Sequence, residues 1–218
     1  MATTNKNPES VSSILETIKA QFPVIEGFGN TVEAILTKDP RVYPVIHSFK
    51  RRLKGEKSIE EKINKKRLSG SKIDSTNVFS EITDIYAVRL IHLYPHDIKS
   101  VHDVIIDHAA KKDWILAEKP KAYTWDPDSV NFLKSLGLKC ELKPSFYTSV
   151  HYLVKPRKNS LAVCEIQVRS LLEEVWGEVD HKIKYKGLTQ DERINEHLAV
   201  LARLVSAGSR ILSAIQKG

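Results

Sequence analysis

The sequence predicts one domain of the α/β (α+β) class, with helices flanking a core of about five strands. Three observations carry this. Segments with apolar residues at helical spacing lie at both ends of the chain. Short runs rich in β-branched and aromatic residues lie in the middle, bounded by proline and polar turns. Helical and extended segments are interspersed, with no internal repeat and no low-complexity stretch. A chain of 218 residues can bury a sizeable core. Its 41% hydrophobic and 28% charged residues are the proportions of a globular protein.

Residues 9–21 and 29–38 read as helices. A third helix is expected from about Val42 through Arg52, its basic end suited to the negative pole of a helix dipole. Another covers Ser58 to Lys66, with Ser58 as N-cap and Glu61 three residues on, a capping-box pattern. Ser69-Gly70-Ser71 then reads as a flexible loop. Ala87 to Tyr94 is a strand stopped by Pro95, and Asp97 to Lys111 a helix with Ile98, Val101, Val104 and Ile105 on one face. Trp114 to Leu116 is a short strand. Phe146 to Val154 and Leu161 to Val168 are two more, and Lys155 to Ser160 between them has hairpin length. Leu171 to Tyr185 is helical. So is Asp191 to Ile215, with an apolar stripe of Leu198, Leu201, Leu204, Val205, Ile211, Leu212 and Ile215. The expected organisation is an N-terminal helical extension (1–41), a main domain (42–188) and a C-terminal amphipathic helix (189–218).

Composition removes several function classes. No run approaches the roughly 20 consecutive apolar residues of a membrane span, and the N-terminus lacks the apolar core of a secretory signal. Cys140 and Cys164 are too few for a disulfide framework or a cysteine-rich zinc site, and are expected on or near strands as small hydrophobes. A cytoplasmic location without membrane association is therefore expected.

The charge is informative by position. Residues 50–72 hold ten Lys or Arg against three Glu, a surplus equal to the +7 of the whole chain. Such a segment calls for an anionic partner, such as nucleotide phosphates, a nucleic acid or an acidic surface, unless it is only a solvated face. Within it, Ser58 and Lys62 share a helix face near free N–H groups, a plausible triphosphate cradle. No Gly-rich Walker A loop is present. Asp84 stands just before a buried-looking strand, and Glu165 lies inside another with Gln167 and Arg169 on its face. Those three are costly to bury unless they meet a ligand, a metal or each other; the alternative is the solvated side of an edge strand. Two carboxylates on adjacent strands would suit Mg²⁺.

Five motifs in order resemble the RelA/SpoT synthetase domain. They are Arg52-x-Lys54-x-x-x-Ser58-Ile59-x-x-Lys62, Asp84-Ile85-Tyr86-Ala87-Val88-Arg89, Tyr147-Thr148-Ser149-Val150-His151, Glu165-Ile166-Gln167-Val168-Arg169 and His181-Lys182-Ile183-Lys184-Tyr185-Lys186. The resemblance covers roughly residues 42–188, and the chain's size is similar to that of single-domain small alarmone synthetases. It implies a nucleotidyltransferase-like mixed sheet with helices around it. It also implies transfer of pyrophosphate from ATP to the 3′-hydroxyl of GDP or GTP, with Mg²⁺, giving guanosine tetra- or pentaphosphate and AMP.

By the same resemblance Arg52 and Arg89 sandwich the adenine, and Lys54, Ser58 and Lys62 hold phosphates. Asp84 and Glu165 bind Mg²⁺, Glu165 also orienting or deprotonating the acceptor hydroxyl. Tyr147 stacks on the acceptor base, Gln167 and Arg169 support that site, and Lys143, Ser149 and His151 match the acceptor motif. His181 to Lys186 is expected to pack the C-terminal helix rather than bind phosphate. No separate hydrolase domain is expected before residue 42, so product degradation is not expected.

The acceptor motif departs from the family's Pro-Lys-x-Asn-Gly-Tyr-Arg-Ser-hydrophobic-His. Ser145 and Phe146 stand where Asn and Gly are usual, and Thr148 where Arg is. Two other readings therefore stay open: a pyrophosphokinase of the tRNA 3′ end or of adenosine nucleotides, and a degenerate domain that only binds nucleotide or RNA. The stripe in 191–215 favours a homo-oligomer through that helix.

Overall fold

The computed structural model describes residues 8–185, 187 and 191–217. The first element, α1 (Val11–Lys38), starts at Ser10, whose side chain accepts from the Ser13 amide. Its buried stripe of Ile14, Ile18, Ile25, Val32 and Leu36 runs its whole length. The two expected N-terminal helices are thus one, continuing through Pro23. Burial on both sides outweighs the roughly 3 kcal/mol cost of an internal proline.

The helix expected from Val42 through Arg52 is a correction. Most of that stretch is a strand, β1 (Ile46–Leu53). A bulge between Ile46 and Ser48 breaks the two-residue alternation, so its apolar pattern mimics a helical one. The next helix, α2 (Glu56–Leu68), is capped by Gly55 without a side-chain hydrogen bond, so Ser58 lies inside its first turn and is not the cap.

After a short helix α3 (Val78–Glu81) come β2 (Tyr86–His92), a 3₁₀ turn (Pro95–Asp97) and α4 (Ile98–Ala110). Then follow β3 (Ile115–Leu116), β4 (Lys121–Thr124), α5 (Pro127–Ser135) and β5 (Lys139–Leu142). The C-terminal part comprises β6 (Ser149–Lys155), β7 (Cys164–Ser170), α6 (Leu171–Tyr185) and α7 (Glu192–Lys217). The core is seven strands, not about five, in the order β1-β2-β7-β6-β4-β5 with β3 beside β6. It is mixed: β2–β7 and β4–β5 run parallel, the other pairs antiparallel.

The register separates two faces. Tyr86, Val88, Leu90, Ile166, Val168, Tyr152 and Val154 are buried in the hydrophobic core, where α1 and α4 cover the sheet. Gly29 lets α1 approach, since a methyl group there would lie 2.3 Å from the Tyr86 ring. The opposite face carries Lys50 and Arg52 of β1, paired with Arg89 and Ala87 of β2, which pair in turn with Gln167 and Glu165 of β7. His151 of β6 faces Gln167, and Lys121 of β4 faces His151. With β7 between β2 and β6, the face bearing Glu165, Gln167 and Arg169 is central to the sheet and not the solvated side of an edge strand.

This polar face is covered on one side by α6, with α7 packed on α6. The buried Trp176 indole donates to the Leu198 carbonyl at 3.0 Å. Ser206 donates to Asp126 at 2.6 Å, and Gln216 donates to Asp97 at 2.7 Å. By length and composition alone α7 could cross a membrane, although Arg203 and Arg210 interrupt it and Leu198, Ala202 and Ser206 are buried. Both cysteines lie on strands, as expected, and burial pushes both thiols up, away from thiolate character.

Candidate active site

Strand pairing assembles the basic end of the site. Leu53 pairs with Tyr86, so Lys54 leaves β1 beside Asp84, which precedes β2, and the Lys54 amide donates to the Ile85 carbonyl at 2.8 Å. The buried Lys54 ammonium donates to Asp84 Oδ2 at 2.6 Å. Lys62, one turn into α2 beyond Ser58, donates to Asp84 Oδ1 at 2.8 Å. Burial pushes the Asp84 carboxyl up, but hydrogen bonds and charge from Lys54 and Lys62 outweigh it and hold the group below its ordinary value. Burial likewise lowers Lys54, against the pull of Asp84.

From Glu165 a closed circuit of hydrogen bonds runs across the sheet. His151 Nδ1 is 2.9 Å from Glu165 Oε1, and Gln167 donates to Glu165 Oε2 at 2.6 Å. Arg89 donates to Gln167 Oε1 at 3.1 Å and to Glu174 at 2.9 Å. Arg169 donates to Glu174 at 3.2 Å and to the Tyr147 hydroxyl at 2.7 Å, which lies 3.0 Å from His151 Nε2. The circuit orients His151. A carboxylate only accepts, so Nδ1 presents a proton to Glu165, while Nε2 meets the Tyr147 hydroxyl. Burial raises the Glu165 carboxyl, while His151 and Gln167 more than offset it; the net effect holds Glu165 below its ordinary value, an anion at neutral pH.

Two adjoining cavities open over this circuit. One, of about 320 Å³, is lined by Lys50, Arg52, Asp84, Ala87, Arg89 and Glu165, among others. The second, of about 350 Å³, shares Arg52, Arg89, Gln167 and Glu178 with the first and adds Tyr147, Arg169, His181 and Lys184. His181 and Lys184 line the cleft, while the helix that carries them packs on α7. Lys186 lies outside the described residues. A larger, shallow groove of about 610 Å³ along α1 contains none of the site residues.

Arg52, Asp84, Arg89, Tyr147, Glu165, Gln167 and Arg169 therefore line the cleft itself, while Lys54 and Lys62 meet it through Asp84, His151 through Glu165, and Ser58, Lys143 and Ser149 line neither cavity. Ser58 is exposed on α2 and lines neither cavity. Ser149 is buried, its hydroxyl turned to the Val168 carbonyl at 3.5 Å. Lys143 sits on the loop between β5 and β6, its ammonium 4.4 Å from the Tyr123 ring centroid. Around it Tyr123 meets His151 edge-on at 4.9 Å and Trp125 meets Phe146 edge-on at 5.2 Å.

Several residues of the site escape a motif reading: Lys50, Tyr123, Glu174 and Glu178. Lys50 would have been found had 46–53 been read as a strand, since it lies two residues from Arg52. Glu174 is hidden in the acidic first turn of a helix, where carboxylates need no further reason than the dipole.

The region found in RelA / SpoT proteins matches residues 51–190, well over half of the chain. The chain belongs to the RelA/SpoT family. A curated relative, the GTP pyrophosphokinase YwaC of Bacillus subtilis (strain 168), is 30% identical over 135 residues, which is 60% of this chain and 55% of that protein. The chain thus spans about half the length of that relative. Among solved structures, a GTP pyrophosphokinase family protein from Streptococcus pneumoniae superposes with a TM-score of 0.68 at 19% identity, covering 93% of this chain and 94% of that one. The small alarmone synthetase 1 of Bacillus subtilis, bound to its product pppGpp, gives 0.68 at 20% identity, covering 93% and 97%. At these identities the superpositions establish a shared fold, the mixed sheet with flanking helices of the alarmone synthetases.

Proposed function

We propose that this RelA/SpoT family protein transfers pyrophosphate from ATP to the 3′-hydroxyl of GDP or GTP, making guanosine tetra- or pentaphosphate and AMP. The observation that carries the reading is the convergence of Arg52, Asp84, Arg89 and Glu165, from three separate motifs, on one cavity over one sheet face. The family relatives supply the substrate class: one is named a GTP pyrophosphokinase, another was solved with pppGpp and, in a separate structure, with AMPCPP.

Phosphoryl transfer asks for in-line positioning and charge neutralisation. The guanidinium planes of Arg52 and Arg89 suit an adenine between them. Lys54 and Lys62 bring two ammonium groups to the polyphosphate end of the cavity, and Ser58 is less well placed for it. Asp84 and Glu165 form a two-carboxylate oxygen set, and among the described residues no group of three or more His, Cys, Asp or Glu could hold a metal alone. That set fits Mg²⁺, which takes one or two carboxylates and completes its shell with phosphates and water. When bound, Mg²⁺ would neutralise charge developing on the transferred group. Glu165, anionic and held at both oxygens, orients the acceptor hydroxyl and takes its proton. Tyr147, gripped by Arg169 and His151, offers its ring to the acceptor base.

A second acceptor reading has its own observation. Thr148 supplies no charge where the family has Arg, and Phe146 fills the Gly position with a ring packed on Trp125. These changes favour a tRNA 3′ end or an adenosine nucleotide. The exposed Val200, Leu204, Ile211 and Ile215 of α7 support a homo-oligomer, and a cytoplasmic location fits the substrates. Incubation with γ-labelled ATP and Mg²⁺, adding in turn GDP, GTP, AMP, ATP and deacylated tRNA, tests the function. Labelled guanosine tetra- or pentaphosphate is expected. Label on tRNA alone would replace the first acceptor with the second, and no transfer to any acceptor would leave a binding domain only.

A further inference from the structure

Glu174 is a carboxylate on which three strands converge. It lies on α6 with 4% of its surface exposed. Its Oε1 accepts from Lys50 of β1 at 2.7 Å and from Arg89 of β2 at 2.9 Å, and its Oε2 accepts from Arg169 of β7 at 3.2 Å. Burial pushes this carboxyl up, and the three cations bring it back below its ordinary value, so it stays charged. A buried ion cluster is a costly way to dock a helix on a sheet, since apolar side chains of similar volume do this at no desolvation cost. The choice of a carboxylate needs another reason.

Its partners supply one. Arg89 lines both cavities at the donor end, while the other arm of Arg169 holds the Tyr147 hydroxyl at the acceptor end. An independent feature shows that Arg169's place is built. Gly177 lies three residues beyond Glu174 on α6, and a methyl group there would come within 2.6 Å of the Arg169 nitrogen that binds Glu174. The helix surface is left bare where that guanidinium lies.

We infer that Glu174 is a positioning residue that couples the two halves of the cleft. It fixes the donor-side Arg89 and the arginine behind Tyr147 in one geometry, so that order gained in one half is order already present in the other. The identity of the two halves rests on the function proposed above; the coupling itself is a property of the contacts.

The test is calorimetric titration of the full chain with a non-hydrolysable ATP analogue and with GDP, each alone and in the presence of the other. It compares the native protein with Glu174→Gln and Gly177→Ala. In the native protein each ligand should tighten the other by about fivefold. Glu174→Gln should weaken both and abolish the mutual effect. Gly177→Ala, which places a better helix former in α6, should weaken GDP by about fivefold and leave the ATP analogue within about twofold, because it displaces Arg169 but not Arg89. A purely structural role would lower the melting temperature without this split. Unchanged affinities in a folded Glu174→Gln, or mutual tightening that persists in it, overturn the proposal. If Glu174→Gln does not fold, Gly177→Ala decides: loss of the mutual tightening, with the ATP analogue alone still bound, supports the proposal, and mutual tightening that persists overturns it. A native protein that binds the ATP analogue but not GDP sinks the acceptor reading instead. Glu174 is then decided by the analogue and deacylated tRNA, with the same split expected and its absence fatal.

Discussion

At the proposed donor end of the cleft Arg52, Lys54, Asp84 and Arg89 take their places from the pairing of β1 with β2, whereas at the proposed acceptor end Lys143, Phe146 and Tyr147 sit on a loop between β5 and β6 placed by ring contacts. Strand register leaves little freedom: a one-residue slip would turn Arg52 and Arg89 to the α1 side of the sheet. The loop is held by Lys143 over Tyr123, by Trp125 against Phe146 and by the Tyr147 hydroxyl. Phe146 even adopts a left-handed backbone, φ 61°, where glycine would be at ease. Side chains on such a loop can be exchanged without disturbing the sheet. The departures from the family pattern fall there, and the donor residues keep theirs.

The largest expected effect joins the two ends. Glu165→Gln keeps the side chain's size and removes the carboxylate, so turnover should fall by about 10²–10⁴-fold, with a stability loss of about 1–3 kcal/mol because the amide turns a donor toward His151 or Gln167. Asp84→Asn should lose comparable activity and about 3 kcal/mol of stability, because it strands the buried Lys54 ammonium. Steady-state kinetics alongside denaturant titration check both variants. An active Glu165→Gln would remove that residue from the chemistry.

A tenfold effect should distinguish the ends from each other. Tyr147→Ala should raise the acceptor's KM by about tenfold through lost stacking and leave ATP binding intact. Arg52→Ala should do the reverse, since a stacked guanidinium contributes about 1–2 kcal/mol to ATP binding. Equal losses for both substrates in either variant would show that the division between the ends is not real.

Acid should act on both ends together. Asp84, Glu165 and Glu174 all titrate below their ordinary values of 3.8, 4.5 and 4.5. Depressed native values mean that their contribution to stability is complete above those ordinary values and is lost as pH falls through the native ones. Unfolding midpoints should fall gently from neutrality to pH 5, where His92 and His102, held by burial below the ordinary imidazole value, take up protons on unfolding, and drop steeply below about pH 4 as the carboxylates protonate. The drop should be shallower in Glu174→Gln, and an equally steep drop there would exclude the cluster as its source.

The smallest effect tests the loop alone. Phe146→Gly relieves a left-handed backbone costing roughly 1–2 kcal/mol and gives up a ring contact contributing about 0.5–1.5 kcal/mol, so stability should change by less than about 1 kcal/mol. Combined with Thr148→Arg, it should raise activity on GDP or GTP if tRNA is the natural acceptor, and give no gain if guanosine nucleotides already are. Rates of both proteins on each acceptor decide between these outcomes.

Much of this was legible in residue order. The strands around Val88, Val150 and Ile166, the helix 171–185 and the meeting of Asp84 with Glu165 follow from periodicity and motif. Other elements were not legible. The bulge disguised β1 as a helix, and β4 and β5 are four-residue strands at one side of the sheet, too short to show alternation. The helix α5 could have been found from Asp126-Pro127, an N-cap followed by proline at the first helical position. The Glu174 cluster joins residues from β1, β2, β7 and α6, and no local pattern marks a contact of that kind.

The place of β7 has a consequence for how the protein is made. It is the last strand to be synthesised, yet it lies between β2 and β6, with residues 93–163 separating it from its parallel neighbour. On the ribosome β1 can close on β2, and β4 can later pair with β6, but both blocks then await a missing middle. Until residue 170 has emerged, two unpaired edges at the centre of the sheet stand open to other chains. Pairing so distant in sequence is slow to form. Newly made copies should therefore be most prone to aggregation in that interval, and the proposed activity must wait until it ends, because Glu165 itself arrives with the closing strand.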